Sequence, residues 1–103
     1  MNYKLYLDDV RTPTDSGWKV VRSFNDAVSL INGLGCPTYI SFDHDLGDDS
    51  LSGYDLAKWL VEKDLDKPGF IPKDFEFNVH SANPVGAENI EKYLNRYLDF
   101  RRN

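Results

Sequence analysis

One cysteine, one methionine and two histidines are all that this chain holds of those three residue types. A lone Cys36 excludes a disulfide framework and a cysteine zinc site, and reads as buried filler rather than a nucleophile. No apolar run approaches the roughly 20 residues that span a bilayer, so no membrane partner is expected. The start, Met1-Asn2-Tyr3-Lys4, goes straight into an apolar run and has no signal-peptide pattern, which points to a cytoplasmic protein. Glutamate is scarce: of seventeen acids, thirteen are Asp and four are Glu. Asp favours loops, caps and ligand positions, whereas Glu favours helix surfaces. The net charge of −5 has the wrong sign for tracking a duplex backbone, so extended duplex nucleic acid is excluded as a partner. A small phosphate ligand stays open, because a bound divalent cation reverses the local field.

What is present is the pattern of one ordinary globular domain spanning residues 1–103, with 41% hydrophobic and 14% aromatic residues and no repeat or linker. Apolar runs predict strands over residues 3–7, 18–22, 38–42 and 75–79. Ser23 with Asp26, and Ser52 with Asp55, are capping-box patterns that start helices. The first helix carries Ala27, Val28, Ile31 and Leu34 inward and ends at Gly33 and Gly35. The second carries Leu56, Trp59, Leu60 and Leu65 and is broken by Lys67-Pro68-Gly69. Asn83 before Pro84 starts a third, with Ile90, Tyr93, Leu94, Tyr97 and Leu98 inward and an end near Phe100-Arg101. The order β, β, α, β, α, β, α argues for a parallel sheet with helices on its faces. Residues 8–17 are few for a parallel crossover, which usually takes a dozen or more. Ten extended residues can still reach back about 30 Å, so strand two is expected to be parallel, with an antiparallel edge strand as the other option.

Three of these strands stop on chemistry. The first runs into Asp8-Asp9, the third into Asp43-His44-Asp45, and the fourth into His80-Ser81. Carboxylates and imidazoles are costly near a core unless paired or bound to metal. In open α/β sheets ligands sit beyond the carboxyl ends of the strands, so the three ends point to one site. Asp8 and Asp9 are candidate ligands for a divalent cation, with Asp43 as a third ligand or a nucleophile. Such a set suits Mg²⁺ or Mn²⁺. His44 and His80 are acid–base candidates, and His44 points away from its neighbours if the strand continues. Ser81, Asn83 and the amides of the last helix are candidates for holding an anion. Arg11 supplies a guanidinium fork for phosphate. Asp48, Asp49 and Asp55 read as solvated loop and cap residues.

The set Leu-Asp-Asp-Val-Arg-Thr-Pro at 7–13, Phe-Asp-His-Asp-Leu-Gly at 42–47, Gly-Tyr-Asp-Leu at 53–56 and His-Ser-Ala-Asn-Pro-Val-Gly-Ala at 80–87 resembles the cyclic-phosphate-processing receiver-like family, a trimmed relative of response-regulator receiver domains. The resemblance implies a receiver-like (flavodoxin-like) three-layer sandwich whose four-stranded, mostly parallel sheet has the order 2-1-3-4. It implies metal-dependent handling of cyclic phosphates, including RNA ends. Asp8 and Asp9 would match the receiver's acidic metal pair, Asp43 its phospho-accepting Asp, and Ser81 its hydroxyl residue after strand four. His44, Asp45, His80 and Asn83 are additions. A signalling receiver also carries a Lys after a fifth strand; this sequence closes on the helix after strand four, so phosphorylation-driven switching is not expected. A metal-dependent phosphoesterase and a non-catalytic phosphate- or protein-binding module are the two functions carried forward.

Overall fold

A computed structural model describes residues 2–47 and 51–102. Asp48 and Asp49, expected in a solvated loop, lie outside the described residues. The elements are β1 (Lys4–Leu7), β2 (Trp18–Val21), α1 (Phe24–Leu34), β3 (Tyr39–Phe42), α2 (Gly53–Asp66), β4 (Glu76–Val79) and α3 (Pro84–Arg102). All three strand pairs are parallel and the order is β2-β1-β3-β4, which settles the direction of β2. The short β1–β2 crossover is held by Arg22, which donates to the carbonyls of Asp8 and Arg11 and to Thr12 Oγ1. Trp18 Nε1–H donates to Asp15 Oδ1 at the other end of the loop.

Both helix starts have the expected caps. Ser23 Oγ accepts from the Asp26 amide, and Ser52 and Asp55 complete a reciprocal capping box. Leu5, Leu7, Ile40 and Phe42 alternate onto one sheet face and are fully buried under Ile31, Leu56, Leu60, Ile90 and Leu94 of the three helices. Each such side chain contributes roughly 1.5–3 kcal/mol by leaving water. Leu65 is an exception among the expected inward residues: it is 59% exposed, because the end of α2 turns that position outward.

The layering is thinner than a three-layer sandwich. Right-handed crossovers from β2 to β3 and from β3 to β4 run in the same direction, so α1 and α2 fall on one face. α3 packs along α2 on that face. The β1–β2 link is a loop, so it adds no helix to the other face. Among the described residues the second face of the sheet has no layer over it.

One buried acid ties the helices together. Asp64 on α2 accepts from the Ile71 amide at 2.9 Å, from Tyr97 Oη at 2.6 Å and from Arg101 Nη1 at 3.3 Å. Burial alone would push its carboxyl up, but the Tyr97 and Ile71 hydrogen bonds and the Arg101 charge outweigh that and hold it below the usual range.

Candidate functional site

The parallel register arranges the uncovered face as rows. Trp18, Lys4, Tyr39 and Glu76 form one row across the sheet, and Val20, Tyr6, Ser41 and Asn78 the next. The amides of Asp8, Asp43 and His80 donate to the Val21, Leu7 and Phe42 carbonyls, so the parallel ladders continue one step past the strand ends. Asp8, Asp43 and His80 therefore follow Tyr6, Ser41 and Asn78 on the same face. One oxygen of each carboxylate and one His80 nitrogen lie within 4.8 Å of one another.

Asp8 is fully buried by its own loop. Its Oδ1 accepts from the amides of Val10 (2.9 Å) and Arg11 (2.8 Å), and its Oδ2 meets His80 Nε2 at 3.0 Å. Burial would raise this carboxyl, but the two amides and His80 more than offset it, and Asp8 stays an anion. Asp43 is 5% exposed and goes the other way. Burial and the neighbouring Asp8 charge push its carboxyl up, against hydrogen bonds from Ser81 and the His44 amide. The pair thus holds more negative charge than its surroundings balance.

His80 is fixed from four sides. Its Nε2 meets Asp8, its Nδ1 lies 2.7 Å from Ser41 Oγ, and its ring stacks on Tyr6 at 4.6 Å with an 8° interplanar angle. Arg11 Nη1 donates to its carbonyl at 3.0 Å, while Arg11 Nε lies 3.6 Å from Asp8 Oδ2. An ionised Asp8 accepts from Nε2–H, and Ser41 Oγ pairs with Nδ1.

His44 takes the opposite direction from Asp43, as strand alternation requires. It packs on the first turn of α3, where a Cβ at Gly86 would lie 2.6 Å from its Cδ2 and 2.8 Å from its Nδ1. Its Nδ1 meets Asp45 Oδ1 at 2.9 Å, and Asn83 Nδ2 donates to Asp45 Oδ2 at 3.4 Å. Asn83 also caps α3, its Oδ1 accepting from the Gly86 amide, while its own amide donates to Ser81 Oγ. Ser81 thus touches both Asp43 and the His44–Asp45–Asn83 group. Gly53 makes the turn after β3 possible: its amide donates to the His44 carbonyl, and a Cβ there would overlap the Asp43 carbonyl oxygen.

Of the expected residues, the structure brings together Asp8, Asp43, His80, Arg11 and Ser81, and sets His44, Asp45 and Asn83 beside them as a second group. Asp9 is not in the cation-capable set; its Oδ2 sits 2.9 Å from where a Cβ on Gly47 would stand. His80 takes the third place instead. Sequence reasoning missed Ser41, Tyr6 and Arg22. Ser41 had a signal, as the one polar residue inside the run Tyr39-Ile40-Ser41-Phe42 and two positions before Asp43.

A family model described as the cyclic-phosphate processing receiver domain matches residues 3–96. The chain belongs to this family. No curated protein and no solved structure matches it. The parallel 2-1-3-4 sheet with three helices is a receiver-like α/β fold, and the Asp8–Asp43–His80 cluster is what this cyclic-phosphate processing receiver domain presents at the carboxyl edge.

Proposed function

We propose that this domain is a metal-dependent phosphoesterase that opens cyclic phosphates, of nucleotides or of RNA ends, at the Asp8–Asp43–His80 edge. The supporting observation is the convergence of two nearly unexposed carboxylates and an imidazole from three strands, with ligand atoms within 4.8 Å. The donor set fits a divalent cation: oxygen-rich, with uncompensated charge at Asp43, which favours Mg²⁺ or Mn²⁺. A bound cation would supply Lewis-acid polarisation of the phosphate.

The remaining work belongs to side chains. Arg11, half exposed beside Asp8, offers N–H donors to phosphate oxygens as charge builds on them. Ser81 and Asn83 stand at the start of α3, where amides and helix dipole favour an anion. Ring opening forms one P–O bond from water and breaks one P–O ester bond. The water proton passes to an imidazole, and the leaving oxygen takes up a proton. Asp45 holds His44 through Nδ1 on the side away from Asp43, so His80 is the imidazole placed within the cluster for proton transfer. The test is turnover of cyclic nucleotides and cyclic-ended RNA with Mg²⁺ or Mn²⁺. Product formation that falls at least a hundredfold in Asp43→Ala and His80→Ala supports the reading; no product with either cation refutes it.

A second reading is a receiver-derived module that binds a phosphate ligand or a protein partner without turnover. It is favoured by one observation: both ring nitrogens of His80 are already engaged, by Ser41 and Asp8. A ligand-dependent thermal shift with no product would support it. A mass gain after exposure to a small phosphodonor would indicate phosphate acceptance at Asp43 instead.

A further inference from the structure

We infer that the uncovered sheet face seats a nucleobase, so that the ligand taken by this domain is a nucleoside phosphate rather than a base-free cyclic ester. This rests on the phosphate-handling reading of the Asp8–Asp43–His80 edge. The face carries a continuous run of rings. Trp18 meets Tyr39 edge-to-face at 5.8 Å and Tyr6 edge-to-face at 5.6 Å, and Tyr6 stacks on His80 at 4.6 Å. Tyr6, Trp18 and Tyr39 are only half-buried, although no described helix or strand lies over them. Partly open rings on an uncovered sheet face can meet a flat ligand.

Continuity decides what it binds. His80 is both a member of the acidic cluster and the end of the ring row, so a ligand phosphate at the cluster places the rest of the ligand along the rings. Arg11, half exposed, stands at the cluster end, while Lys4 Nζ lies 4.4 Å over the Trp18 ring and gives way to a base stacked there. Size argues against a protein occupant. Four strands about 4.8 Å apart and four residues long, at about 3.3 Å per residue, make a face of roughly 250 Å². A stable protein interface takes about 800 Å² from each partner. A nucleobase fits the smaller area, and base–aromatic stacking tolerates any base because each has a π face.

The test uses the whole chain carrying Trp59→Phe, a change on the helix side that leaves Trp18 as its single tryptophan reporter. The protein is titrated, with Mg²⁺, with adenosine cyclic monophosphate and with cyclic glycerol phosphate. The expected result is a change in Trp18 emission with the adenosine compound alone, and about five- to 150-fold tighter binding of it. With affinities read by calorimetry, Tyr39→Ala and Trp18→Leu should remove that preference while leaving the glycerol compound unaffected. The affinity ratio on the unmutated face carries the test even if those variants fold poorly. Equal affinity for the two probes, or turnover of both at equal rates, overturns the base-seating inference and leaves the phosphate reading standing. Binding of adenosine itself as tightly as its cyclic phosphate, with changed Trp18 emission, supports the base seat and counts against the phosphate site. Binding of no probe overturns both.

Discussion

Asp43→Asn should make this protein more stable while abolishing its response to divalent cations. An oxygen of Asp43 lies within 4.8 Å of one of Asp8. Two unit charges at 4.8 Å repel by about 3.5 kcal/mol at an effective dielectric near 20. His80 and Arg11 cancel part of this, so a net gain of about 1–2 kcal/mol is expected. Asn keeps the shape and leaves no cavity, but it exchanges one acceptor oxygen for N–H donors, which offsets part of the repulsion relieved. For a domain of this size the net gain corresponds to a rise in Tm of roughly 5 °C or more, read by circular dichroism without added metal. The pH dependence gives a second check. Asp43's carboxyl is raised, so its ionisation opposes folding: the penalty sets in as pH rises past the unfolded carboxylate range and is full above the folded-state titration. The gain should be full near neutral pH and fade as pH falls through the carboxylate range, where the wild-type group is already protonated. Mg²⁺ should raise the Tm of the wild type and not of the variant. An unchanged or lowered Tm for Asp43→Asn near neutral pH would refute the picture of an uncompensated acidic pair.

Gly53→Ala should cost about 1–3 kcal/mol in a urea melt, because its Cβ meets the Asp43 carbonyl, which sits on fixed backbone. Gly33→Ala, where a Cβ meets nothing within 4 Å, should be neutral or stabilise by up to about 1 kcal/mol. Asp64→Ala should cost about 3–5 kcal/mol, since it leaves the Arg101 charge without its counter-ion and the Tyr97 hydroxyl and Ile71 amide without their acceptor. Because the Asp64 carboxyl is lowered, its contribution is present above the unfolded carboxylate range and lost as pH falls through the folded value; an Asp64→Asn melt should lose less stability than wild type on acidification. Ser41→Ala should cost about 1 kcal/mol and alter the His80 nitrogen shifts in an NMR titration, as Nδ1 loses its partner.

Much of the fold was legible because local rules and tertiary packing agreed. The Ser23 cap, the Ser52–Asp55 capping box and the Asn83-Pro84 start appear where the pattern placed them, although Asp26 does not return the bond to Ser23. Leu65 failed because helical spacing gives a stripe but not where a helix leaves its neighbours. Strand alternation correctly turned His44 away from Asp43. Asp9 and His80 could not be ranked as ligands, because spacing along one strand says nothing about which residue of another strand lies opposite.

The amino-acid order alone determined which residues end the strands, which residues cap the helices, and that a parallel sheet would carry acids at its carboxyl edge. These are short-range consequences of side-chain period and backbone hydrogen bonding. Only the tertiary structure decided that His80 joins Asp8 and Asp43, that Ser41 and Tyr6 fix its ring, and that one face of the sheet stays open. Those outcomes depend on inter-strand register and on the hand of the crossovers, which bring together residues as much as 72 positions apart in the chain.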